Sequence, residues 1–417
     1  MYITRAIEDS VIKITKTFPV LLVTGPRQVG KTTLLKRLAH KNRTYVTLDD
    51  PDIRLLARND PALFMQRFAP PVLIDEIQYA PEILPYIKMD VDSSGDKGGF
   101  WLTGSQAFHM MKNVSESLAG RVGIVNLAGL SSSEIDGLRS EPFTTSPELL
   151  ISRLGGRKKM GINDIYERIF RGGFPALYSG DAPDLPDFYG SYINTYLRRD
   201  IKDLSQVADE TAFHNFMIAV AARTAKPVIY DEIAKDVGIS PPTAKKWLSI
   251  LISSGLVALV QPYHNSVLKR VTKMPVMHFL DTGLCAYLLK WGSPETLERG
   301  VMSGAFFESW VFSEIYKSYL NAGKEAPLYY YRDKEKREID LIIHENGTLY
   351  PIEVKKAASS GTDATKHFRV LDPVTQPEKF GGLEQYKVEI GSGAVVCMAS
   401  DILPIDKMNW FVPAWMI

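Results

Sequence analysis

An α/β fold organised around a parallel sheet is what this 417-residue sequence predicts, and three runs carry the prediction. Val20-Leu21-Leu22-Val23 leads into Gly25-Pro26-Arg27-Gln28-Val29-Gly30-Lys31-Thr32 and then into the helix-like Thr33-Leu34-Leu35-Lys36-Arg37-Leu38. Pro71-Val72-Leu73-Ile74-Asp75-Glu76 is an apolar strand ending in two carboxylates, and Gly99-Phe100-Trp101-Leu102-Thr103-Gly104-Ser105-Gln106 is another ending in polar residues. Unbroken apolar strands suit a sheet covered on both faces, and their polar carboxyl ends mark the edge where a ligand sits.

The first run fits the phosphate-binding pattern G-x-x-x-x-G-K-[ST]. Its glycines let the chain turn without side-chain clash, so that backbone N–H groups and a helix N-terminus converge on an anion. Gly25, Pro26, Arg27, Gln28, Val29, Gly30, Lys31, Thr32 and Thr33 are therefore the candidate nucleotide-binding residues. Lys31 is expected to reach the β- and γ-phosphates and Thr32 to ligate Mg²⁺. Asp75 is the second candidate Mg²⁺ ligand, and Glu76 the group that polarises the attacking water. No Asn-Lys-x-Asp guanine-reading sequence occurs, so ATP is the expected nucleotide.

The third strand places Thr103 and Ser105 near the γ-phosphate. Ser105 is chosen to orient the water, with helix capping as the plain alternative. Downstream, Ser117-Leu118-Ala119-Gly120-Arg121 sets an arginine after a glycine at a helix end. Arg121 is the candidate to stabilise the transferring phosphoryl group from a neighbouring subunit. The plain reading is a solvated surface arginine.

Composition bounds the rest. A prior of about 150 residues per domain gives two to four domains. Lysine and arginine total 49 against 48 aspartate and glutamate, so any nucleic-acid surface must be a local patch. Cys285 and Cys397, each among apolar neighbours, read as reduced core thiols. Met1 to Asp9 lack the apolar core of a signal peptide, and no run approaches the ~20 apolar residues of a membrane span. The expectation is a cytoplasmic protein with no membrane partner.

After the capping signal Ser131-Ser132-Ser133-Glu134, a polar region to about Gly161 reads as mobile, and it contains Gly155-Gly156-Arg157-Lys158-Lys159. A helix from Asp187 to Leu204 follows, with Arg198, Arg199 and Asp200 at its end as a surface ion-pair cluster or a nucleotide sensor. Residues 206–262 read as helix, helix, turn, helix, strand. Gly238 stops the helix that starts near Ile229, and Ser240 caps the next, with Pro241 at its first position. Trp247, Leu248, Leu251 and Ile252 form the inner face of that helix, leaving Lys245 and Lys246 outward as candidate phosphate contacts. A packing module is the alternative.

The C-terminal third carries a second constellation. Glu338 to His344 and Thr348 to Lys355 flank Glu345-Asn346-Gly347, whose Asn-Gly pair signals a tight hairpin. With Asn346 and Gly347 as turn residues, Glu345 pairs with Thr348 and Asp340 falls opposite Glu353. Cross-strand side chains lie about 5 Å apart. Two like charges near 4 Å repel by roughly 4 kcal/mol at an effective dielectric of ~20, so a cation is required. Lys355 shares the face of Glu353 by the strand's period of two. Pro351 raises the prospect of a bulge that shifts this register. Upstream, Glu308 opens a helix whose Val311, Phe312, Ile315 and Tyr319 fall on its stripe, and an acid there needs a partner.

Glu308, Asp340, Glu353 and Lys355 resemble the acidic-helix, Asp, Glu-x-Lys pattern of restriction-endonuclease-like nucleases. The resemblance implies that Asp340 and Glu353 hold a metal ion while Lys355 assists the attacking water. The chain as a whole resembles the AAA-type P-loop ATPases of bacteria and archaea, in particular a family of predicted ATPases with a winged helix and a restriction-endonuclease-like C-terminal domain. The shared runs are the phosphate loop, Leu73 to Ile77, Leu102 to Ser105, Ser117 to Arg121, Gly172-Gly173-Phe174-Pro175, Arg198 to Asp200 and Phe279 to Leu284. The implied architecture is an ATPase core over 1–130, a helical lid over 131–205, a winged helix over 206–290 and a nuclease-like domain over 291–417. It implies a homo-oligomeric ATPase using ATP and Mg²⁺ on nucleic acid, DNA favoured. Two further readings stay open: an ATP-driven switch whose tail binds without cleaving, and a transcriptional regulator using the winged helix alone.

Overall fold

In the computed structural model of the chain, residues 2–104, 114, 117–139, 141–196, 209–263, 274–358, 361–375 and 388–417 are described. Among them the first sheet has five parallel strands: β1 (Val20–Thr24), β2 (Thr44–Thr47), β3 (Val72–Asp75), β4 (Phe100–Thr103) and β5 (Val122–Asn126), in the order β2-β3-β4-β1-β5. Alternation splits each apolar run between two cores. Leu21, Val23, Leu73 and Trp101 enter one; Val20, Leu22, Val72, Ile74, Phe100 and Leu102 enter the other. This is how an unbroken apolar strand is accommodated: both faces are covered. Because β4 lies between β3 and β1, the carboxyl ends of these three strands share one edge, and the phosphate-loop sequence leaves from that edge. The core is an α/β fold with a parallel sheet covered on both faces.

After β5, Ser131 caps the short helix Ser132–Ile135, its side chain accepting from Glu134 N while Glu134 reaches back, as the sequence predicts. The segment expected to be mobile is instead docked. Arg157 donates to Ser133 Oγ and to the carbonyls of Trp415 and Ile417, and Lys159 pairs with Asp401. Local composition reported only the polarity of this segment; besides Ser133, the partners that dock it lie some 240 to 260 residues away.

The second sheet has ten strands among the described residues: β6 (Lys226–Pro227), β7 (Val257–Pro262), β8 (Val276–Phe279), β9 (Leu328–Arg332), β10 (Glu338–Glu345), β11 (Thr348–Lys355), β12 (Glu389–Ile390), β13 (Gly393–Cys397), β14 (Leu403–Pro404) and β15 (Asn409–Pro413). Their order is β14-β15-β13-β11-β10-β9-β7-β8-β6, with β12 on β11. The helices Glu210–Ala221, Tyr230–Val237 and Pro241–Ser253 precede β7; Gly238 is left-handed and Ser240 accepts from Thr243 N, so stop and cap fall where expected. Parallel pairing of Gln261 with Tyr329 makes this sheet continuous across position 290.

The helix Ser303–Asn321 runs through the middle of the molecule. Its Phe306, Phe307, Val311, Phe312, Ile315 and Tyr319 are buried, and so are Ser309, Ser313, Glu314, Lys317 and Ser318 on its other sides. Glu314 accepts from Ser132 N at 2.8 Å, Lys317 donates to Leu130 O at 2.9 Å, and the two pair with each other. A buried charge needs such partners. Among the described residues no helix is long and apolar enough to cross a membrane. Cys285 and Cys397 are both buried and free.

His278 on β8 is fully enclosed, stacked on Phe312 with ring centroids 4.3 Å apart and 3.1 Å from Ser309 Oγ. Burial drives its pKa down to about 3 from 6.5. The folded state therefore binds this proton less readily than the unfolded chain, so the contribution is complete above pH ~6.5 and is lost as pH falls towards 3. Urea unfolding at stepped pH should show the His278 contribution costing up to about tenfold in the folding equilibrium per unit below 6.5, a limb that His278→Gln flattens. Equal pH slopes in the two proteins would rule this out.

Candidate functional site

At the shared edge, Gly25 has φ +139° and a Cβ there would stand 2.1 Å from Leu127 O, so the turn into the loop admits only glycine. Gly30, at φ +92°, caps the helix Lys31–Leu38. Lys31 is 7% exposed, and its Nζ donates to Gly25 O at 2.9 Å and Pro26 O at 2.8 Å, which keeps the ammonium folded inside the loop. Thr32 Oγ1 lies 3.0 Å from both carboxylate oxygens of Asp75, donating to that group, and Tyr45 OH donates to Asp75 Oδ2 at 3.0 Å. Burial and the Asp75 charge push the Tyr45 phenol up to about 12. The sequence reading found Thr32 and Asp75 and missed Tyr45, whose neighbour Val46 pairs with Ile74 one strand away.

Glu76 does not continue β3. Its backbone is left-handed, at φ 59° and ψ 47°, and it opens a short 3₁₀ turn, Ile77–Tyr79. A non-glycine residue in this conformation is uncommon and gathers at functional sites. Gln78 Nε2, from that turn, donates to Glu76 Oε2. Burial raises the Glu76 carboxyl pKa, offset by Gln78, Lys31 and Arg27 and reinforced by Asp75. Gln28 is exposed with φ 61° and Thr33 is exposed on the first helical turn, while Val29 is buried.

Thr103 at the end of β4 is 1% exposed, and its Oγ1 has no hydrogen-bond partner in the described structure. Ser105 lies outside the described residues, as do Arg198, Arg199 and Asp200. Arg121 precedes β5, at the end of the sheet opposite the phosphate loop, where Nε and a terminal nitrogen donate to Asp92 at 2.5 and 3.0 Å.

A residue missed entirely is Arg5, 4% exposed, which donates to Val29 O and Ala128 O at 2.8 Å each and to Glu134 at 2.9 Å. Burial would raise the Glu134 carboxyl, but the Arg5 guanidinium and the N–H groups of Ser131 and Ala6 hold it below the usual range. The capping box hid this role, since it already explains a glutamate at 134.

The second constellation also assembles. Asn346 and Gly347 have φ 51° and 77°, and Glu345 pairs with Thr348 through to Leu341 with Ile352, so Asp340 and Glu353 are the next pair along. Pro351 pairs with Ile342 without a shift; the irregularity lies on the opposite edge of β10, between Ile339 and Ile342 where it meets β9. Asp340 sits within that irregularity, where strands are commonly bent to re-aim a side chain. Its Oδ2 accepts from Val354 N at 2.8 Å. Burial and Glu353 push its pKa up to about 7.

Glu308 faces the same cluster, but from the second turn of its helix, which begins at Ser303 and not at Glu308 as the apolar stripe suggested. Burial first, then Asp340, Glu338 and Glu353, raise its carboxyl well above the ordinary value. Burial also raises Glu353, whose Oε1 accepts from Lys355 Nζ at 2.5 Å, while its Oε2 is buried with no partner in the described structure. The cation required between the acids is thus Lys355. Glu338, missed before, joins as a fourth acid, two residues from Asp340. Among the described residues no group of three or more His, Cys, Asp or Glu is arranged to hold a metal ion.

Lys245 and Lys246 are exposed on the helix Pro241–Ser253, whose Trp247, Leu248 and Leu251 are buried. The turn after this helix touches the phosphate loop: Gly255 lies so close to Pro26 that a Cβ would stand 3.0 Å from its ring.

Three family profiles match successive stretches of the chain. Residues 17–136 match a family profile described as an AAA domain, residues 162–295 a domain of unknown function (DUF8612), and residues 303–417 another (DUF4143). Two uncharacterised proteins, from Mycobacterium bovis and Mycobacterium tuberculosis, are each 28% identical over 356 residues, spanning 85% of this chain and 74% of the relative. Among solved structures, a Walker-type ATPase of Pyrococcus abyssi is similar at 13% identity and a TM-score of 0.41, over 67% of this chain and 94% of its own.

Proposed function

We propose that this chain, a P-loop ATPase with an AAA-type α/β core, couples Mg²⁺-dependent ATP hydrolysis to work on nucleic acid, DNA foremost, through a winged-helix module and a restriction-endonuclease-like phosphodiesterase domain. The observation that carries the chemistry is the meeting of Lys31, Thr32, Asp75 and Glu76 under one loop of backbone amides. Thr32 Oγ1 and the Asp75 carboxylate are hard oxygen donors already side by side, which fits Mg²⁺. When bound, that ion supplies positive charge to the phosphate oxygens. The loop residues 25–33 bind the triphosphate, Lys31 leaves its two carbonyls to meet the β- and γ-oxygens, and Glu76 takes a proton from the attacking water. Ser105 orients that water. The reading includes a homo-oligomer in which Arg121, at the end of the sheet opposite its own loop, serves the neighbouring subunit's site.

The C-terminal reading rests on the convergence of Glu308, Asp340, Glu353 and Lys355. The unpartnered Glu353 Oε2 beside Asp340 fits a metal ligand pair, and Lys355 is placed to steady an attacking water. Lys245 and Lys246, with no buried role, suit phosphate contact that is indifferent to sequence. The decisive experiment measures ATP turnover and strand cleavage together on single-stranded, duplex and branched DNA. Lys355→Ala should lower cleavage about a hundredfold while leaving ATP turnover within twofold of wild type; unchanged cleavage removes the assignment.

A second reading, in which ATP drives a switch whose tail binds without cutting, draws support from the absence of a ready three-ligand shell among the described residues. Tight DNA binding with no cleavage in Mg²⁺ or Mn²⁺ would favour it.

A further inference from the structure

Arg5 is buried at the foot of the phosphate loop, and three of its side-chain bonds join parts of the chain far apart in sequence: Val29 O within the loop, Ala128 O after β5, and Glu134 in the following helix. A phosphate loop works by turning N–H groups inward, and each such turn sends the preceding carbonyl outward, where it must find a donor. The Val29–Gly30 peptide is planar and trans, so fixing Val29 O towards Arg5 fixes Gly30 N–H in the opposite sense. On the side where a Gly30 Cβ would stand there is nothing within 4 Å.

The same peptide is free to turn over. Glycine accepts φ of either sign at little cost, so rotation about this plane is restrained by its hydrogen bonds and not by sterics. Turned over, it would present a carbonyl oxygen to a phosphate. Arg5 opposes that rotation with a charged donor at 2.8 Å, while its other two nitrogens bond separately to Glu134 and to Ala128 O.

We propose that Arg5 is a positioning residue for ATP hydrolysis: it locks the Val29–Gly30 peptide so that Gly30 N–H faces the nucleotide phosphates. The inference rests on nucleotide binding at residues 25–33. The lock acts equally on bound substrate and transition state, so its loss raises KM with little change in kcat.

The test uses the full chain and three variants, with Mg-ATP turnover and Mg-ADP binding as readouts. Arg5→Ala and Arg5→Lys are expected to raise KM and the ADP dissociation constant at least tenfold, with kcat within threefold. Arg5→Lys keeps a charge facing Glu134 and so reports even where Arg5→Ala does not fold. Glu134→Gln breaks the ion pair but leaves the Val29 bond; it should lower the melting temperature while shifting KM less than threefold. The proposal is overturned if Arg5→Lys binds ADP like wild type, or if Glu134→Gln weakens ADP binding as much as the Arg5 variants, which is what a purely structural ion pair would do. A wild-type chain that binds no nucleotide would sink the ATP-site reading itself and is distinguishable from both.

Discussion

Glu76→Gln should hold ATP as wild type does yet hydrolyse it roughly a thousandfold more slowly, the scale expected when a positioned general base is lost. The substitution keeps size and hydrogen-bonding reach, and the left-handed backbone at φ 59° is no worse for glutamine than for glutamate. Gln78 retains a partner at that position. What is lost is the capacity to accept a proton from water. Single-turnover hydrolysis measured beside equilibrium ATP binding separates the two effects. Normal turnover in this variant would leave Glu76 with a structural role only.

Lys31→Ala should fail earlier, at binding. The ammonium lies inside the loop on two carbonyls, Gly25 O and Pro26 O, so its transfer to phosphate oxygens exchanges neutral acceptors for charged ones over a short path. Without it the amides of the loop face the triphosphate alone, and kcat/KM is expected to fall roughly a thousandfold, with weaker ATP binding accounting for part of the loss. The helix Lys31–Leu38 begins from Gly30 and packs through Leu34 and Leu35, neither of which depends on the lysine, so the variant should melt within a few degrees of wild type. Turnover within tenfold of wild type would contradict the assignment.

Legibility in the sequence followed the range of the interaction. The phosphate loop was readable because its spacing is local and its glycines are demanded by backbone geometry at two positions. The Asp340–Glu353 opposition was readable because one Asn-Gly turn fixes the register of both strands that leave it, and Pro351 did not disturb that register. Arg5 was not readable: its partners at 29, 128 and 134 have no periodic relation to it. The burial of Glu314 and Lys317 was hidden for another reason. An acid and a lysine three residues apart on a helix look like a solvated pair, and only their shared contacts with Leu130 and Ser132 reveal that they are enclosed. Glu308 was recognised, but not the start of its helix, because Ser303-Gly304-Ala305 carries little apolar signal.

Since the helix Ser303–Asn321 is packed on nearly every flank, with Glu314 and Lys317 tied to the stretch between Leu130 and Ser132, the chain is not a string of separable beads. Cutting it before Ser303 would expose a wide apolar trough and strand two polar backbone groups, Leu130 O and Ser132 N, that the first half cannot satisfy by itself. A chain stripped of the carboxylates at 340 and 353 would therefore still need this central rod to bury the first half's apolar face.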